Sequence, residues 1–200
     1  KNKMKNINVV VLLFFFFSFE IIAQDVPVNV PKLADLGVNG ILLSDTSNVR
    51  VFCRLSDDSF DELIKSYFPP HINFVNKDSS ELFVAWFHPG SDKFTFNEFI
   101  VSKLPNNFSE NFIVLNKVTN FITYKEIYIG MSTDELKNIL GNNFIKETDT
   151  ENNISIKYEL SIESSNENKF LESYGLPSYY GHYTFKENKL IKLGFGFAYP

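Results

Sequence analysis

The stretch "IYIGMSTDELKNILG", residues 127–141, decides how the second half of the chain is read, because a glycine followed by Ser and Thr either cradles a ligand or starts a helix. Ser132 is placed to accept a backbone donor of the first turn, and Glu135, three residues on, to reach back to the Ser132 amide. That spacing is a capping box. Met131 before the cap and Leu136 after it are placed as a hydrophobic staple, and Gly141 ends the helix. Leu136, Ile139 and Leu140 share one face. A phosphate loop needs further glycines and the Lys of G-x-x-x-x-G-K, and the stretch has neither. It is helix punctuation.

Working outward, the chain repeats itself. "LSDTSNV" from Leu43 matches "LNKVTNF" from Leu115, "SFDEL" from Ser59 matches "STDEL" from Ser132, and "FTFNEFIVSKL" from Phe94 resembles "YTFKENKLIKL" from Tyr183. Short matches in a constant order imply two related units in tandem. The first unit reads as strands at 40–44 and 49–55, a helix at 59–68 stopped by Pro69-Pro70, a strand at 81–88, and a hairpin at 94–103 turning at Asn97-Glu98. The second reads as strands at 112–115 and 121–129, a helix at 133–140, a strand at 153–163, and a hairpin at 179–199 turning at Glu187-Asn188. The expected fold class is therefore α+β: two tandem units, 40–103 and 112–200, each a helix layer packed on an antiparallel β-sheet. Residues 24–39 read as a lead-in and 104–111 as a linker.

The residues Ile129-Gly130-Met131-Ser132, Glu135-Leu136 and Ile139-Leu140-Gly141, followed by a strand and then by Tyr183-Thr184-Phe185-Lys186 with Lys189-Leu190, form a pattern. It resembles the SmpA/OmlA and β-lactamase-inhibitory-protein group. The resemblance implies small exported domains that lay helices on an antiparallel sheet. Some members scaffold a β-barrel assembly machine, and the inhibitory protein carries two units in tandem and grips an enzyme with its sheet surface. It implies protein binding rather than catalysis.

Lys1, Lys3 and Lys5 precede an apolar run from Val9 to Phe19 that ends near Ala23, the pattern of a secretory signal peptide over residues 1–23 with Met4 as its start. A membrane anchor is the alternative, but the run is shorter than the roughly 20 residues a span needs. The only cysteine, Cys53, is far from this segment, so a lipoprotein signal is not read. The formal net charge is −5, and removing three lysines and one glutamate with residues 1–23 takes it to −7. Such an acidic chain is not expected to bind nucleic acid, nor to keep a stable membrane anchor once the signal is cleaved. One cysteine forms no intramolecular disulfide, so a core must hold the exported chain.

The binding surface is sought by comparing one strand between the copies. Ile154, Ile156, Tyr158, Leu160 and Ile162 alternate with Ser155, Lys157, Glu159, Ser161 and Glu163, which makes one buried and one wet face. At the corresponding wet positions the first unit has Leu82, Val84, Trp86 and His88, and Phe99 and Val101 are placed on that same outer face. Such an apolar patch must be covered, either internally by the second unit or residues 24–39, or by a protein partner. The aromatic segment "YGLPSYYGHY", residues 174–183, supplies Tyr179, Tyr180 and His182 as a second candidate recognition surface.

Catalytic, metal and cofactor sites are not expected. His71, His88 and His182 are scattered without metal-ligand spacing. Asp149, Glu151 and Asn153 start like a calcium loop, but Ile154 and Leu160 stand where its Gly and closing Glu belong. Asp57, Asp58, Asp61 and Glu62 sit at a helix start, where carboxylates favour the macrodipole. The expected function is an exported, non-enzymatic module that binds another envelope or extracellular protein through a sheet surface. The alternatives are a small-ligand or lipid carrier, and a hydrolase, which needs two histidines or a carboxylate pair to converge in one cleft.

Overall fold

The computed structural model describes residues 30–43, 69–87, 95–148, 153–162 and 168–198. The expected strand at 49–55, the helix at 59–68 and the signal segment lie outside them. Among the described residues ten strands are found: β1 (Gly37–Val38), β2 (Ile41–Leu42), β3 (His71–Asn76), β4 (Glu81–Phe87), β5 (Phe96–Lys103), β6 (Ile113–Leu115), β7 (Ile145–Thr148), β8 (Ile154–Ser161), β9 (Ser178–Lys186) and β10 (Lys189–Ala198). The described residues hold two helices, α1 (Thr133–Leu140) and α2 (Asn168–Tyr174).

Eight strands form one sheet in the order β6-β3-β4-β5-β10-β9-β8-β7. The β3–β6 pair is parallel and the others antiparallel, so the sheet is mixed. The α+β expectation, two helix layers each on an antiparallel sheet, is thus overturned: the protein is mostly β. Much of what was read as the scaffold of two units is strand in one shared sheet, and the two helices span only eight and seven residues. The expected halves meet inside that sheet, where β5 pairs with β10 through Phe99 opposite Phe195.

Several elements follow directly from local chemistry. Around α1 the capping box is complete: the Ser132 Oγ accepts from the Glu135 amide at 3.3 Å, and Glu135 Oε2 accepts from the Ser132 amide at 2.8 Å. Met131 and Leu136 are both buried in the main core. The β9–β10 hairpin turns at Glu187 and Asn188, both at positive φ as a type I′ turn requires. Its Asn188 side chain accepts from the Thr133 hydroxyl at 2.7 Å, so the hairpin tip also fastens the helix start.

Other elements differ from expectation. The strand at 40–44 is instead the second arm of a small hairpin, β1–β2, whose turn Asn39-Gly40 has φ of 47° and 84°. Residues 121–129 fold back on themselves through Thr123 N to Ile127 O at 2.9 Å, with Glu126 in the left-handed region. They make isolated bridges rather than a strand. The hairpin expected at 94–103 is the single strand β5. Pairing with β4 shifts register between Trp86 and Phe87, opposite Glu98 and Phe96, so Asn97 is the extra residue of a bulge and not a turn. Strands β3 and β7 and helix α2 were not expected.

The inner face of the sheet carries the main core. A ladder of rings runs across it, Phe74 to Phe83 at 5.3 Å, Phe83 to Phe99 at 5.1 Å and Phe99 to Phe195 at 5.8 Å, crossing four strands and the seam between the halves. The β1–β2 hairpin, residues 113–131, α1 and α2 contribute side chains to the same core. Buried Asp35 ties the leading segment to it: its carboxylate accepts from the Leu36 amide at 2.8 Å and the Lys125 amide at 3.2 Å. Burial pushes the Asp35 carboxyl above its ordinary range, against the pull of these hydrogen bonds.

Candidate functional site

The outer face divides into two halves of different chemistry. On the β3–β4–β5 half, Val75, Leu82 and Val84 are buried with Trp86, Ile100, Leu104 and Phe108 packed against them. Leu104 and Phe108 belong to residues 104–112, which leave β5 and reach β6 at the far side of β3, crossing this half as a strap. Glu110 latches the strap: its Oε2 lies 3.0 Å from His71 Nε2 and accepts from Asn73 Nδ2 at 2.9 Å. The His71 ring, whose Nδ1 lies 3.0 Å from the Pro69 carbonyl oxygen, packs against Trp86 with ring centroids 4.4 Å apart. These hydrogen bonds hold the Glu110 carboxyl below its ordinary value of 4.5, the His71 bond contributing most.

Leu82, Val84 and Trp86 do occupy the outer face, but among the described residues Leu104 and Phe108 of the 104–112 segment cover them, with nothing from the second half or from residues 30–39. Phe99 and Val101 are on the opposite face. They pair with Ala85 and Phe83 and are fully buried in the main core. The match of Phe99 and Val101 to Leu190 and Lys192 in the repeat places them outside, but Leu190 is itself buried in the main core and β10 shifts register between Leu190 and Lys192, so that match fixes no face. His88 lies outside the described residues.

The two adjacent tyrosines part company. Tyr179 points into the core, where its hydroxyl donates to the Asp35 carbonyl oxygen at 2.9 Å and accepts from the Asp35 amide at 2.7 Å. Tyr180 and His182 stand on the outer face of β9 and line a hollow of about 270 Å³. Across β10 from them, Glu98 and Ile100 of β5 form the other wall, Gly194 lies between, and Lys192 closes one end. Lys157 and Glu159 of β8 stand beyond His182 and Tyr180.

The hollow exists because β10 carries "GFGF" at 194–197, which puts two large rings inward and no side chain outward. Gly196 is demanded by close approach, since a Cβ there would overlap the Asn97 carbonyl oxygen of the bulge. With nothing between them, Tyr180 reaches across and hydrogen-bonds Glu98. Burial pushes the Glu98 carboxyl up, opposed by that hydrogen bond and by Lys192. Burial, with the neighbouring Glu98, raises the Tyr180 hydroxyl strongly, so it stays the donor.

No family model, curated protein or solved structure matches this chain. What the hollow does must follow from its own chemistry. It offers a half-buried carboxylate, an aliphatic wall and an imidazole wall. Among the described residues no group of three or more His, Cys, Asp and Glu could hold a metal ion. Glu98 and Glu159 line one hollow, with His182 as the histidine beside them. Sequence reasoning missed Glu98, Ile100, Lys192 and Gly194. The alternation of "NEFIVSK" from Asn97 and the glycine spacing of "GFGF" were the signals that could have found them.

Proposed function

We propose that the chain is an exported, non-enzymatic module that binds another envelope or extracellular protein through the open half of its outer sheet face, over β8, β9 and β10. The unequal treatment of the two halves carries this reading. The apolar half is covered by residues 104–112, whereas the other half leaves Tyr180 and His182 half-buried beside exposed Glu159 and Lys192. Rigid strands that present aromatic and charged groups around a hollow suit recognition, because little side-chain or backbone freedom is lost on docking. Export rests on the signal-like residues 1–23. The resemblance to sheet-surface binders points the same way.

The test is retention of proteins from envelope and culture-fluid fractions on immobilised protein, compared with a folded Tyr180→Ala/His182→Ala variant. Partners held by the first and lost by the second are the expected result. An identical retained set from both would reject this face. A hydrolase is the second reading, favoured by Glu98 and Glu159 lining the same hollow. It requires turnover of a chromogenic ester or glycoside that disappears in Glu98→Gln.

A further inference from the structure

Gly194 is a glycine that the fold does not require. Its φ is outside the left-handed region, and a methyl placed there meets Ile100 Cγ1 at 3.5 Å, the Phe99 carbonyl oxygen at 3.6 Å and Glu98 Oε1 at 4.0 Å, all ordinary contacts. The other glycines of this hairpin have structural reasons: at Gly196 the methyl would overlap backbone, and at Gly181 it would press the Tyr183 ring at 3.0 Å. Glycine in a strand interior weakens it through backbone entropy and lost packing. The missing side chain leaves a slot directly over Gly194, between its register partners Ile100 and His182.

We propose that this slot takes the side chain of an arginine from a basic segment of the protein partner, its guanidinium lying flat over Gly194 between Ile100 and His182 and donating to the Glu98 carboxylate. The inference rests on the proposed protein-binding role and names the group bound. A planar fork fits a slot with one aliphatic and one aromatic wall, and a guanidinium keeps its donors in the plane where a carboxylate can take them. Tyr180 already donates to Glu98, which orients the carboxylate and leaves its remaining lone pairs for an incoming donor. Glu98 and Glu159 line the hollow beside Lys157 and Lys192, so the charge a guanidinium meets there is the local carboxylate of Glu98 and not the net charge of the chain. Lys192 is the competitor: it is exposed and acts on Glu98 by charge alone, so an arginine displaces it at small cost.

N-acetyl-arginine amide and its neutral analogue N-acetyl-citrulline amide are the probes, titrated into isotope-labelled full protein and followed by NMR. Arginine amide is expected to shift the Gly194, Ile100 and His182 signals with an affinity at least about tenfold above citrulline amide, the difference an ionised hydrogen bond makes. Gly194→Ala, which fits the strand and fills the slot, is expected to abolish the shifts, and Lys192→Ala to strengthen binding. Equal response to both probes, shifts elsewhere, or unchanged binding in Gly194→Ala would overturn the proposal. Should the probe fail while retained partners still depend on Tyr180 and His182, the face binds protein without an arginine and only this inference falls. Should the probe bind at Gly194 while no retained protein depends on that face, the slot stands and the protein-binding role falls.

Discussion

At the scale of single residues, the contrast between Tyr179 and Tyr180 shows how a strand assigns neighbouring side chains of one type to different work. The Tyr179 hydroxyl satisfies both the amide and the carbonyl of Asp35 inside the core. Tyr179→Phe leaves those buried backbone groups without partners and is expected to lower stability by about 1–3 kcal/mol. Tyr180→Phe removes the hydroxyl that orients a half-buried carboxylate at the surface, and is expected to cost less stability while weakening arginine-amide binding. Urea denaturation with the NMR titration separates the two. A stability loss in Tyr180→Phe as large as in Tyr179→Phe would contradict this division of roles.

At the scale of elements, residues 104–112 make the clearest case, because a segment read as a linker is a cover held by identifiable contacts. Glu110 has its carboxyl lowered by His71 and Asn73, so its ionised form is favoured in the folded state. A carboxyl depressed in this way adds stability above its unfolded value of 4.5 that is lost as pH falls through the lower folded value. Acidification below 4.5 is therefore expected to loosen the strap over Trp86, raising the accessibility of its fluorescence to iodide. Glu110→Gln should show the raised quenching already at neutral pH and lose this acid-dependent step; quenching unchanged by pH or by the variant would show that Leu104 and Phe108 hold the strap alone. This cover also marks where the sequence stopped being legible. The capping box, the alternation in β8 and the turn at Glu187-Asn188 could be read because each depends on residues a few positions apart. The placement of Phe99 and Val101 could not, since their likeness to Leu190 and Lys192 fixes no face across the register shift between those two, and pairing with β4 decides it. The strap was invisible for a similar reason: nothing within 104–112 says which face of which strands it will cross.

At the scale of the whole molecule, the apparent duplication and the single sheet make different predictions about folding. Two independent units would each own a core and unfold separately. Here the ring ladder from Phe74 to Phe195 passes through the β5–β10 seam, so each half finishes the core of the other. Unfolding is expected to be one cooperative transition. Trp86 reports on the first half, and the α1 region, seen through the Gly130 and Leu136 amides in hydrogen exchange, reports on the second. Denaturant midpoints from Trp86 fluorescence and from far-ultraviolet circular dichroism should coincide, with the most protected amides on both sides of the seam exchanging at one free energy. Phe99→Ala, which removes a ring from the middle of the ladder, should lower both midpoints together by about 3–5 kcal/mol. Separate midpoints, with Phe99→Ala moving only the Trp86 transition, would mean that the halves are autonomous despite their shared sheet, and the outer-face hollow between β5 and β9 would then open whenever the seam does.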